Sequence, residues 1–253
     1  MSGGILRLTI DGPVATIVFD RPAMRNALSL AMYDELSAAC GQIASTPGLR
    51  AAVFRGANGA FVAGTDIAEF RSFKTGEDGV RYEARLERGV AEVETLPVPT
   101  LAVIDGPATG GGLMIATACD LRVASSRSRF GVPIARTLGN CLSRANLSRV
   151  ERAFGQGRTH RMLLLADLLD ANEALAAGFL VALAEPDSLE TLVAEILDKL
   201  VANAPLTLSA TRTLMRAPSE PDEKVIARVY GSQDFNEGVN AFLAKRPPVW
   251  VGE

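Results

Sequence analysis

Histidine is almost missing from this chain, which holds 1 in 253 residues, and tryptophan is as scarce. A catalytic triad therefore has only His160 to draw on, and a lone histidine at a predicted helix start reads as structural. Cysteine is sparse and odd in number: Cys40, Cys119 and Cys141 lack the close pairing of zinc ligands, so neither a disulfide framework nor a metal cluster is expected. No charge sign dominates. With 26 Lys and Arg against 29 Asp and Glu, no broad field gathers nucleic acid or an anionic membrane. Long apolar runs are lacking too, being cut by Asp105, Asp120, Asp167 and Asp170, so a transmembrane helix does not fit. There is no Gly-x-Ser-x-Gly elbow, no complete dinucleotide fingerprint and no Gly-x-x-x-x-Gly-Lys phosphate loop. Serine hydrolase, nicotinamide and nucleotide-hydrolysis chemistry are disfavoured accordingly. Met1 leads into a strand-like segment without the basic stretch and apolar run of a signal peptide, and the expected location is cytoplasmic.

What the chain has in quantity is aliphatic, alanine-rich apolar sequence, 48% hydrophobic with 6% aromatic, enough to bury a substantial core. It is arranged as recurring strand, glycine turn and helix. Thr100 to Ile104 reads as a buried strand, Gly106-Pro107 as a turn, and Leu113 to Ala118 as a core helix without a charged face. Gly110, Gly111 and Gly112 stand at the first turn of that helix. Lacking Cβ atoms, they allow a ligand to approach the unpaired N–H groups and the positive dipole end, or a neighbouring element to pack closely. Arg50 to Phe54 repeats the pattern, followed by a glycine turn and then Ala63-Gly64 ahead of a helix that Thr65 or Asp66 caps with Glu69 beyond. Two such units can converge on one carbonyl oxygen from two sides, as an oxyanion hole requires.

Around these units the chain predicts a hairpin over Ile5 to Ile10 and Val14 to Phe19, and a helix from a Ser29 cap to about Ala44. A charged, glycine-bearing connector over 71–82 leads into a helix over about 79–94 and is placed to border a ligand. A strand over 120–124 follows. Helices dominate thereafter, at about 143–154, 158–166, 171–177, 186–203, 205–216, 222–230 and 234–245, with a strand near 179–183. Asn203-Ala-Pro205 marks the best boundary, dividing 1–202 from 203–253.

Five motifs, in order, resemble the crotonase (enoyl-CoA hydratase/isomerase) family: Asp20-Arg-Pro-Ala-Met-Arg-Asn-Ala-Leu28, Phe61-Val-Ala-Gly-Thr-Asp66, Gly106-Pro-Ala-Thr-Gly-Gly-Gly112, Cys119-Asp120 and Glu237-Gly-Val-Asn-Ala-Phe-Leu-Ala-Lys-Arg246. The resemblance implies an α/β fold, a superhelical spiral of β-β-α turns with a C-terminal helical oligomerisation region, assembled as trimers or hexamers. It implies an acyl-CoA thioester as substrate, with no cofactor beyond the coenzyme A it carries, and a carbonyl held by the backbone amides of Ala63 and Gly111. The CoA moiety would lie along Arg25, Ala27 and Leu28, and along Gly64, Thr65, Asp66, Ile67 and Gly110. Phe242 and Lys245 would close the site, in some relatives from a neighbouring protomer, and Arg25 and Lys245 are candidate phosphate contacts.

The chain departs from the hydratase pattern at two places. Alignment puts Met114 and Ile134 where hydratases carry their catalytic glutamates, and neither side chain exchanges a proton. The expectation is an acyl-CoA lyase or isomerase that works without the two-glutamate mechanism, or else a binding protein of this fold that has lost catalysis. Met114 and Ile134 would line an apolar acyl pocket. The polar candidates on the following loop are Asn140, Cys141 and Arg144, with Arg136 and Ser143; Cys141 is expected to be a small buried apolar residue, and Asp66 and Glu69 to serve as caps.

Overall fold

The computed structural model describes residues 5–216 and 221–253. In chain order its elements are β1 (Ile5–Asp11), β2 (Val14–Asp20), α1 (Leu30–Ser45), β3 (Ala51–Gly56), α2 (Gly76–Glu94), β4 (Thr100–Ile104), β5 (Pro107–Thr109), α3 (Gly111–Ala118), β6 (Leu121–Ser125) and β7 (Arg129–Gly131). There follow α4 (Ile134–Thr137), α5 (Arg144–Phe154), α6 (Gln156–Leu164), β8 (Leu169–Asp170), α7 (Ala171–Ala176), β9 (Ala182–Ala184), α8 (Leu189–Ala202), α9 (Pro205–Arg216), α10 (Glu223–Tyr230) and α11 (Gln233–Leu243).

Two sheets stack along the spiral. The larger runs β1-β2-β3-β4-β6-β9, parallel from β2 onward, and the smaller runs β5-β7-β8. Each turn leaves a strand of the large sheet, crosses the smaller layer and returns through a helix, as β4, β5 and α3 do. Where the smaller layer is not yet a sheet, single parallel bridges take its place, Leu28 with Thr65 and Val62 with Ala108. The strands of a parallel sheet are covered on both faces, and these are. Ala52, Phe54, Ala102 and Ala124 face the main core, whereas Val53, Leu101, Val103 and Val123 meet Leu189 and Val193 of α8 on the other side. The expected α/β spiral of strand-strand-helix turns is thus observed.

Several boundaries differ from the sequence reading. Helix α2 starts at Gly76, because Thr75 and Asp78 form a capping box that overrides the two glycines in its first turns. Pro107 lies in strand β5 and not in a turn: it is the first residue of the strand, where the missing N–H costs no ladder bond that the sheet needs. The strand near 179–183 is displaced to Ala182–Ala184.

The C-terminal helices are tied to the spiral by Asp120. Its carboxylate accepts from the backbone and hydroxyl of Thr100 at 2.7 and 2.9 Å, from Arg212 at 2.6 Å and from Arg216 at 2.8 Å. Arg212 also donates to the Leu96 carbonyl at 2.6 Å. Segment 203–253 therefore begins with a charged anchor into the core.

Candidate active site

The two glycine turns meet. A Cβ on Gly110 would lie 3.6 Å from Gly64 Cα, and one on Gly111 would lie 3.2 Å from Thr65 Oγ1 and 2.4 Å from the Tyr33 hydroxyl. On Gly112 it would stand 2.1 Å from the Val62 carbonyl oxygen, so close packing accounts for the glycines at 111 and 112 at least as directly as ligand access does. Gly110 donates its N–H to Gly131 at 3.1 Å, which fixes the start of α3. Among the described residues no acceptor pairs with the N–H of Gly111, as the first turn of a helix leaves it.

On the facing turn the amide expected to be available is already used. The Ala63 N–H donates to the Arg25 carbonyl at 3.1 Å, and Asp66 N–H donates to Leu28 at 2.8 Å. Between them Leu28 N–H reaches the Gly64 carbonyl at 2.9 Å, so Thr65 sits at a parallel bridge whose hydrogen bonds come from its neighbours. The amides of this turn left without an acceptor among the described residues are those of Gly64 and Thr65. The Ala63 amide is thus bonded within the protein, and the Thr65 side chain lies beside Gly111.

The turn is held from beneath by Asn26 and Arg21, for which the sequence motifs suggest no role. Asn26, fully buried with a φ of 58°, accepts from Arg21 N–H at 2.8 Å and donates to the carbonyls of Ala57 and Ala60 at 2.9 and 2.7 Å. Arg25 also adopts a positive φ of 48° and is exposed. Asp66 caps the 3₁₀ turn Ile67–Ser72 by accepting from Ala68 N–H at 3.0 Å, and pairs with Arg21 at 2.8 Å. Those two contacts, the backbone N–H first, hold its carboxyl below the usual range. Glu69 accepts from Leu30 N–H at 3.2 Å. Asp66 thus caps as expected, whereas Glu69 braces the first turn of α1. Ala27 and Leu28 are buried and Ile67 is exposed.

Behind Thr65 its hydroxyl is 2.8 Å from that of Tyr33 and 2.7 Å from that of Tyr82. Burial raises both phenols above their ordinary pKa, so the cluster stays neutral at any physiological pH. Tyr82 also forms part of the wall of a cavity of about 520 Å³. One side of that wall is α2, whose Gly76, Gly79, Val80 and Glu83 share a face at helical spacing; the other is the loop from Leu138 to Ser143. Asn140 and Cys141 lie in the loop wall. Cys141 is exposed, contrary to expectation, because the loop stands away from the core, whereas Cys40 and Cys119 are buried.

A family model for enoyl-CoA hydratase/isomerase matches residues 9–253 of this chain. The chain belongs to the enoyl-CoA hydratase/isomerase family. It is similar to a short-chain-enoyl-CoA hydratase of Clostridium acetobutylicum, 30% identical over 93% of each chain. It is similar in structure to an enoyl-CoA hydratase/carnithine racemase of Magnetospirillum magneticum, with a TM-score of 0.92, 30% identity and coverage of 100% of this chain and 97% of the other. An enoyl-CoA hydratase of Bacillus anthracis gives a TM-score of 0.88 at 27% identity, with both chains covered in full.

In this member of the enoyl-CoA hydratase/isomerase family, other expected site residues fall outside the cavity. Met114 is fully buried in the main core, and Ile134, at the start of α4, is half-buried against it. Neither borders the cavity, so they do not form its apolar lining. Arg136, Arg144 and His160 are exposed, His160 within α6 and not at its start. Phe242, 83% exposed, borders a separate hollow with Trp250 near the C-terminus, and Lys245 is exposed with a φ of 54°. Among the described residues no group of His, Cys, Asp and Glu could hold a metal ion, and no helix is long and apolar enough to cross a membrane.

Proposed function

We propose that the protein is an acyl-CoA enzyme that holds a thioester carbonyl between the main-chain amides of Thr65 and Gly111 and stabilises the enolate formed there. The meeting of the two turns is the observation that carries this reading: each contributes an N–H without an acceptor among the described residues, and a Cβ built on Gly110 or Gly111 would stand within 4 Å of the other turn. Donors fixed by the fold cost no reorganisation as charge develops, and loss of one such donor costs about 2.7–4 kcal/mol of transition-state stabilisation. Names borne by the relatives point to thioesters as the substrate class.

The two-glutamate hydration mechanism does not belong to this reading, since Met114 and Ile134 occupy the positions matched to those acids. Isomerase or lyase chemistry remains. Arg25 and Lys245 are proposed to meet the CoA phosphates. Residues 1–202 would form the catalytic spiral and 203–253 the region through which copies assemble; the exposed Tyr230, Val239, Phe242 and Leu243 of α10 and α11 support that division.

A second reading, an acyl-CoA-binding protein that has given up catalysis, is favoured by the same Met114 and Ile134. The test is titration with a non-reactive acyl-CoA, followed by a panel of enoyl-, hydroxyacyl- and aryl-CoA thioesters. The enzyme reading predicts binding and turnover of at least one thioester. Binding without any product supports the second reading, and absence of binding overturns both.

A further inference from the structure

Among the described residues Glu83 is the one carboxylate in the wall of the 520 Å³ cavity, which is otherwise mostly apolar or uncharged. It projects from the α2 face shared with Gly76, Gly79 and Val80, where a Cβ on either glycine would meet nothing within 4 Å, so the helix leaves room in front of the carboxylate. Its Oε2 accepts from the Ser143 N–H at 3.0 Å, which joins α2 to the loop opposite. Among the described residues Oε1 has no donor and neither oxygen an ion-pair partner. A half-buried acid without a cation costs stability. Burial pushes its pKa above the usual carboxylate range, the Ser143 N–H opposing and the nearby Glu87 reinforcing the shift.

The adjacent residue joins the cavity wall to the Thr65 side chain. Tyr82 shares the cavity wall with Glu83, and its hydroxyl lies 2.7 Å from Thr65 Oγ1, the atom that a Cβ on Gly111 would approach to 3.2 Å. An acyl chain whose thioester oxygen rests on the Thr65 and Gly111 amides can therefore extend past Tyr82 into the cavity.

We infer that Glu83 is the catalytic residue that moves the proton, in place of the carboxylates absent at Met114 and Ile134. The inference rests on the thioester reading of the previous subsection. The substrate is a thioester with a β,γ double bond and a mainly apolar acyl chain. The Glu83 carboxylate takes the α-proton; the C–H pair forms the dienolate, whose charge rests on the thioester oxygen between the two amides. The carboxylic acid then returns that proton to the γ-carbon, the pair flows back, and the double bond moves to the α,β position. No water and no second acid is consumed, which suits a site with one carboxylate.

The experiment is α-deuterium incorporation into a β,γ-enoyl-CoA in D₂O, read by mass spectrometry for the wild type and for Glu83→Gln, with binding of a non-reactive acyl-CoA and melting temperature measured on both. Glutamine keeps the acceptor for Ser143 N–H and removes only the base. The expected result is exchange and isomerisation by the wild type and a loss of at least 10²-fold in Glu83→Gln, with binding kept within about threefold and a melting temperature unchanged or higher. Glu83→Asp, which retracts the carboxylate by one methylene, is expected to recover part of the exchange. Exchange or isomerisation by Glu83→Gln at the wild-type rate overturns the assignment, as does a wild type that binds the thioester but neither exchanges nor isomerises it. Failure of the wild type to bind any acyl-CoA overturns the thioester reading itself, and so the two failures are told apart.

Discussion

At the scale of the residue, burial decides which chemically capable groups are available. Cys40 and Cys119 are 3% exposed, and burial pushes the Cys40 thiol up to about 12 and that of Cys119 higher still. Neither yields thiolate at neutral pH. Cys141, exposed on the cavity wall, differs in access. Titration of the native protein with an aromatic disulfide should label one thiol quickly and the other two only after denaturation, and saturating acyl-CoA should slow the fast reaction. Fast labelling that bound thioester leaves unchanged would place the acyl chain elsewhere. Glu83 shows why sequence reading missed a functional candidate. On a helix as charged as α2 a glutamate reads as solvated, and its partial burial comes from a loop 60 residues further on. A motif shows which amides lie near a turn and not which are already bonded, as that of Ala63 is to Arg25.

At the scale of the element, the turn presenting Thr65 depends on its braces. Asn26 and Arg21 fix it from the N-terminal motif, and Asp66 caps the 3₁₀ turn that follows. Asp66→Asn keeps a cap oxygen but removes the charge that Arg21 meets, and should cost about 1.5–3 kcal/mol. The folded-state pKa of Asp66 is depressed, so its contribution is present above the unfolded value, near pH 4, and is lost as pH falls through the folded value. The melting-temperature difference between wild type and variant should therefore be full at pH 7 and close below about pH 4; a gap that persists in acid would place the stabilisation elsewhere. Elements with strong local signals were legible in sequence. The Ser29-capped α1 and the apolar strands β3 and β4 fall within a residue or two of expectation. Strands β5 and β7, of 3 residues each, were not, because they exist only by pairing across the spiral with segments distant in sequence.

For the whole molecule, the spiral and the C-terminal helices are joined through a few charged contacts, of which Asp120 collects the most. Removing it leaves Arg212, with a side chain 10% exposed, without its anion. Asp120→Ala should cost about 3–5 kcal/mol, as breaking a buried pair does, and should release α9 from β4. Denaturant unfolding measures the loss, and hydrogen exchange should show it concentrated in 205–216; a uniform change below 1 kcal/mol would mean that apolar packing alone holds the helix. The apolar side chains left exposed on α10 and α11 lead to a further expectation, a trimer or hexamer by light scattering.

Central to the proposed function is a thioester carbonyl held between the Thr65 and Gly111 amides. The infrared difference spectrum of an acyl-CoA labelled with ¹³C at that carbonyl tests it most directly. Two main-chain donors should polarise the bond and move its stretching band to lower frequency than in free thioester. A band that stays at the free position while titration shows the thioester bound would contradict the account.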